Sequence, residues 1–85
     1  MSATEASDRV SRADVERIAE TVSEGLAGYR VFANGRNGYI ALDLYREGGA
    51  DSVSAMVDTL HIGTKREVYT YLQGMRRAQL LRREA

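Results

Sequence analysis

Few residues in this chain have the types and spacing that chemistry needs. There is one histidine, His61, and no cysteine. One imidazole cannot build a histidine-based zinc site, and disulfides and thiolate ligands are excluded. Asp58 precedes His61 by three residues. On a strand that spacing sends two side chains to opposite faces, so the pair is not expected to act together. No Ser/His/Asp arrangement is visible. Asp43 stands between Tyr39 and Tyr45 as a lone carboxylate, a position that suits a solvated or hydrogen-bonded group. The glycines of "NGRNG", residues 34–38, lie between two strand-like runs. A phosphate-cradling loop lies between a strand and a helix. The expectation is a non-enzyme with no metal and no cofactor.

What remains is surface. One candidate is aromatic. If "YRVFA" and "YIALDLY" pair as strands, Tyr29, Val31, Ile40, Leu42 and Leu44 share one face, and Phe32, Tyr39, Ala41, Asp43 and Tyr45 share the other. Phe32, Tyr39 and Tyr45, with Arg36 at the intervening turn, form a candidate partner-binding surface, since aromatics beside an arginine are common anchors. Cross-strand packing alone also accounts for them. The other candidate is basic. Residues 1–25 hold six acids and three bases, residues 26–63 four and three, and residues 64–85 two and six. On the last helix Lys65, Arg76 and Arg83 fall close together at about 100° per residue, with Tyr69 nearby and Arg66 and Arg77 farther round. They are either a solvated flank that attracts the acidic first helix, or an edge contacting phosphate or an acidic partner.

The elements that position these groups are legible from spacing. "SRAD" opens a helix: the Ser11 hydroxyl can accept an orphan backbone N–H, and Asp14 suits the positive helix end. Val15, Ile18, Ala19, Val22 and Leu26 follow at helical spacing, and Gly25 or Gly28 supplies a left-handed stop. The two strands come next. A four-residue "NGRN" loop puts Val31 opposite Ile40 and Ala33 opposite Gly38; a one-residue slip would bury Arg30. "REGGAD" reads as a loop. Val53, Met56, Val57 and Leu60 have helical spacing, while Met56, Leu60 and Ile62 also suit a strand face, with Asp58 as the exception; a third strand over 55–62 is preferred. Thr64 and Glu67 form a second capping box before a long helix whose inner face carries Val68, Tyr71, Leu72, Met75 and Gln79. Gly74 inside it costs about 1 kcal/mol against alanine and suggests a close backbone approach. Leu80 and Leu81 point away from that face. The expected fold is α+β: a polar, disordered tail over residues 1–10, then one domain over 11–85 in the order α-β-β-β-α, with both helices on one face of a three-stranded antiparallel sheet.

Eighty-five residues make one domain with a thin core, burying roughly 60% of the unfolded surface. A partner chain or a second copy is a natural supplement, so either a homo-oligomer or a partner is expected at the open sheet face or at Leu80 and Leu81. No apolar run approaches the roughly 20 residues that span a bilayer. The first ten residues lack a charged start and an apolar stretch, so a cytoplasmic protein without membrane contact is expected.

"NGYIALDLY" followed by "GTKREVYTYLQGM" resembles small proteins of bacteriophages and mobile elements, which carry an N-G-Y-x-A-x-D-x-Y strand and then G-T-x-R-E-x-Y at a helix start. The resemblance covers roughly residues 37–75 and brings no catalytic residue with it. It implies a protein that binds and inhibits or redirects a host complex, in the manner of an anti-CRISPR protein. In topology the chain also resembles double-stranded RNA-binding domains, which place a lysine-rich helix start after a glycine, as Lys65 and Arg66 follow Gly63 and Thr64 here. "NGRN" lacks the proline and histidine usual in their first hairpin, and the last helix lacks their alanine-rich run. That likeness implies a nucleic-acid-binding module, although zero net charge argues against strong nonspecific binding. A small homodimeric structural or regulatory protein is the third reading.

Overall fold

A computed structural model of the chain describes residues 9–47 and 55–84. Its elements run α1 (Arg12–Glu24), β1 (Tyr29–Arg36), β2 (Tyr39–Arg46), β3 (Ala55–Gly63) and α2 (Lys65–Glu84). The three strands form one antiparallel sheet in the order β1-β2-β3. Both helices pack on the same face of it, where Val15, Ala19, Val22, Val31, Ile40, Leu42, Val68 and Leu72 make the core. This is the α-β-β-β-α order that the helix and strand periodicities predict.

Both helix starts are held by reciprocal caps. Ser11 Oγ accepts the Asp14 N–H at 3.1 Å and Asp14 Oδ2 accepts the Ser11 N–H at 3.1 Å. Thr64 Oγ1 accepts the Glu67 N–H at 3.2 Å, and Glu67 Oε1 accepts the Thr64 N–H at 2.8 Å. Val10 packs against the core cluster, which includes Val15; these are the N′ and N4 positions of a hydrophobic staple. Of the segment 1–10 set apart as a tail, residues 1–8 lie outside the described residues, as do residues 48–54 of the β2–β3 connection. Gly28, at φ 81°, supplies the left-handed residue after α1, whereas Gly25 is a C-cap at φ −92°.

The β1–β2 hairpin is tighter than the four-residue loop expected. Arg36 pairs with Tyr39 across Asn37 and Gly38, and Val31 faces Leu44, not Ile40. Asn37 and Gly38 have φ values of 53° and 83°, the left-handed pair of a two-residue type I′ turn, whose twist matches that of the strands. The chain contains two Asn-Gly dipeptides in "NGRNG", and the second makes the turn. Eight residues per strand then pair instead of five, which satisfies more backbone groups. The difference from the expected register is four residues, an even number, so every side chain keeps its face.

The free edge of β1 is closed by α1. The Ser23 hydroxyl accepts the Val31 N–H at 2.9 Å and donates to Ala19 O at 2.7 Å. Arg12 Nη2 donates to Ala33 O at 2.8 Å. The Val31 N–H and the Ala33 carbonyl, two groups that could pair with a foreign strand, are thereby occupied.

The two helices are parallel, since α1, three antiparallel strands and α2 alternate in direction. Apolar packing joins them, together with one amide: Gln79 Nε2 donates to Val22 O at 2.9 Å, capping the end of α1. A Cβ at Gly25 would lie 2.7 Å from this Gln79 side chain, so close approach is needed there. At Gly74 the expectation fails, because nothing lies within 4 Å of where a Cβ would stand. Tyr71 also departs from the inner face. It is 37% exposed and stacks on His61, while Tyr69 packs at the margin of the core.

Candidate functional site: the open face of the sheet

The face of the sheet away from the helices is built around a buried carboxylate. Asp43, in the central strand, is 1% exposed. Its Oδ2 accepts from Asn34 Nδ2 at 2.7 Å and from Arg36 Nη2 at 3.0 Å, and its Oδ1 accepts from Thr59 Oγ1 at 2.7 Å. Asn34 Nδ2 also lies 3.4 Å from Tyr45 Oη. Burial pushes the Asp43 carboxyl up, but the Asn34 and Thr59 hydrogen bonds and the nearby Arg36 charge more than offset this. Its pKa lies below the ordinary aspartate value. A carboxylate with this many donors is a strong hydrogen-bonding centre and stays ionised.

Two irregularities in β3 make this possible. Ile40, Ala41 and Leu42 pair with Gly63, Ile62 and His61, but Asp43 pairs with Thr59, the register shifting at Leu60. Without the extra residue, Asp43 would face Leu60, an apolar side chain with nothing to donate. The bulge re-aims Thr59 at the carboxylate, a recurrent use of bulges. A second shift, at Val57, sets Met56 opposite Tyr45. The same bulges correct two expectations. His61 and Asp58 pair with Leu42 and Leu44, so they occupy the same face and not opposite ones. Met56 and Ile62 lie on the open face, while Leu60 packs against the core, so these three do not share a face.

Around Asp43 stands a ring of larger side chains. Phe32 and Tyr45 meet edge to face at 5.3 Å and 79°. The Arg30 guanidinium lies 5.9 Å from the Phe32 centroid and 3.8 Å from Glu47. Phe32, Tyr39, Met56 and Ile62 are all exposed. The four residues proposed from sequence, Phe32, Arg36, Tyr39 and Tyr45, are therefore on one surface. Sequence reading missed Asn34 and Thr59, which hold the carboxylate, and Met56 and Ile62, which extend the apolar rim. The four-residue turn puts Asn34 in a loop, whereas strand alternation carried through to Arg36 places it beside Asp43.

The basic candidates do not come together. Lys65 and Arg66 begin α2, whereas Arg76 and Arg83 lie toward its far end; at 1.5 Å per residue, Lys65 and Arg83 are roughly 27 Å apart along the axis. Arg76, Arg82 and Arg83 line a depression with Glu24, Gly25, Leu26, Ala27 and Gln79, where both parallel helices end. Positive charge there complements the negative ends of two aligned dipoles. Lys65 and Arg66 line a different depression with Arg9, Val10, Ser11 and Thr64, where both helices start.

Among the described residues no cluster of His, Asp or Glu could hold a metal ion, and no helix is long and apolar enough to cross a membrane. The fold and this surface define an α+β domain with one uncovered sheet face. No family model matches the chain, and comparison with curated proteins and with solved structures gives no significant match.

Proposed function

We propose that this chain is a non-enzymatic binding protein that engages a partner protein through the open sheet face. The observation that carries the reading is the pairing of exposed apolar groups with a preorganised polar centre. Phe32, Tyr39, Met56 and Ile62 are 44–54% exposed, and Arg36 is fixed among them by Asp43 at 3.0 Å. Held arginine and aromatic side chains lose little freedom on binding, which favours them as anchors. Arg36 and the exposed Arg30–Glu47 pair supply the charge, so the fitting partner surface is mainly apolar with polar groups placed to meet them.

The more specific form of the proposal is a phage-type inhibitor of a host complex, with counter-defence as its setting. Its support is the resemblance of residues 37–75 to phage and mobile-element proteins. Affinity capture from bacterial lysate tests both levels. The partner retained by the wild-type chain should be lost on replacing Phe32 or Tyr39 with Ala, at a cost of about 1–2 kcal/mol or more for each anchor. Replacing Arg76 or Arg83 should leave capture intact. Capture that ignores Phe32 and Tyr39 would remove the open face from the proposal.

A further inference from the structure

The chain's two asparagines, Asn34 and Asn37, each precede a glycine. That dipeptide has a covalent chemistry of its own. The glycine nitrogen can attack the side-chain amide carbon of the asparagine, because no glycine side chain obstructs the approach. The structure treats the two copies differently. Asn34 lies inside β1 opposite Ala41, and Gly35 lies opposite Ile40. The Asn34 amide is held on the Asp43 carboxylate at 2.7 Å. Ring closure there requires breaking that bond and turning the backbone out of the ladder. Asn37 and Gly38 have no ladder partners, since Arg36 pairs with Tyr39 around them. Both are exposed. Among the described residues no hydrogen bond holds the Asn37 side chain or the Gly38 N–H. Nothing lies within 4 Å of where a Cβ on Gly38 would stand, so the approach is open.

We infer that Asn37 is a site of intramolecular deamidation and that the fold protects Asn34 from the same reaction. The Gly38 nitrogen loses its proton and bonds to Asn37 Cγ. The bond from Cγ to the side-chain nitrogen breaks, and that nitrogen leaves as ammonia, giving a cyclic succinimide. Water then opens the ring at either carbonyl. Cleaving the new bond to Cγ restores the main chain with aspartate at position 37. Cleaving the bond to the main-chain carbonyl routes the chain through Cβ and Cγ, as isoaspartate. Water is consumed and ammonia released; no oxidant, reductant or cofactor takes part. Either product places a carboxylate next to Arg36, where it competes with Asp43 for the guanidinium held at 3.0 Å. Isoaspartate also lengthens the backbone of a turn whose geometry is set by its length. The reaction thus acts on the hairpin that carries Phe32, Arg36 and Tyr39, whatever the open face binds.

The test is peptide mapping by mass spectrometry of the full chain after incubation at mildly basic pH, once folded and once in urea. Trypsin cleaves after Arg30, Arg36 and Arg46, so the two sites fall in separate peptides, 31–36 and 37–46. Isoaspartate is read separately by enzymatic methylation. In the folded chain Asn37 should convert at least about tenfold faster than Asn34, because Asn34 reacts only when the hairpin opens. In urea the two rates should converge. Both aspartate and isoaspartate should appear at position 37, and the rate should rise with pH because the attacking nitrogen must lose its proton. Asn37→Gln should remove the conversion from peptide 37–46. Equal rates at the two sites in the folded chain overturn the inference. So does an Asn37 that stays intact in the folded chain while it reacts in urea.

Discussion

The two faces of the sheet are made by alternate residues of the same strands, yet they are built on opposite principles. In β2, Ile40 and Leu42 turn toward the helices while Ala41 and Asp43 turn away, and all four are buried. On the helix side burial comes from a second layer, in which Val68, Leu72, Val15 and Val22 fill the space and the buried Ser23 hydroxyl bonds α1 to β1. On the other side the described residues form no second layer. There Asp43 is enclosed by its own neighbours, and the enclosure is polar. The comparison separates two jobs. Apolar contact is cheap to satisfy and fixes the fold; a directional carboxylate network fixes where individual side chains stand. A surface meant to present Arg36 and Tyr39 in defined positions benefits from the second kind of order.

Substitutions on the two faces should differ in size and in kind. Leu42→Ala, at 0% exposure, should cost about 2–5 kcal/mol of stability in urea unfolding, the range for cavity-forming core substitutions. Asp43→Ala should cost less, about 1–3 kcal/mol, because it leaves Asn34 and Thr59 donors unmet while the half-exposed Arg36 can turn to water. A cost for Asp43→Ala exceeding that of Leu42→Ala would mean that the open face, not the core, holds the fold together.

Acid should distinguish the faces further. The folded-state pKa of Asp43 is lowered, so the network contributes fully above the unfolded-state value near 3.9 and is lost as pH falls through the lower folded value. Asp14 is lowered as well, chiefly by the Ser11 N–H and hydroxyl, and adds in the same direction. Thermal unfolding below about pH 4 should therefore show a flatter acid limb for Asp43→Asn than for wild type. Identical limbs would show that protonating Asp43 costs the folded state nothing.

On the helix side one position is underused. Gly74→Ala meets no atom within 4 Å and should stabilise the chain by about 1 kcal/mol through helix propensity alone. The smallest effect belongs to the rim. Tyr39→Ala, at 54% exposure, should change stability by no more than about 0.5 kcal/mol. That near-silence in unfolding is what makes it a clean probe of binding.

Much of this contrast was legible in the sequence. Period-two alternation assigned Phe32, Tyr39, Asp43 and Tyr45 to one face and Val31, Ile40 and Leu42 to the other, and that assignment survived a register error because the error was even. The turn itself was ambiguous because "NGRNG" offers two Asn-Gly pairs, and only the gain of three further paired positions on each strand favours the second. The bulges at Leu60 and Val57 left one faint sequence signal, Asp58 interrupting the alternation of Met56, Leu60 and Ile62, and no glycine marks either site. Without them the partnership of Thr59 with Asp43, and the shared face of His61 and Asp58, could not be foreseen. The capping boxes were the most reliable marks, because their chemistry is local.

The amide from Gln79 to Val22 has a consequence in time. Its partners are 57 residues apart, and at a synthesis rate of roughly 5–20 residues per second the Val22 carbonyl is made about 3–11 s before the side chain that caps it. Helix–coil exchange takes about a microsecond, so α1 forms and melts very many times in that interval. Helix α1 is thus secured at its final turn only after most of α2 has been joined.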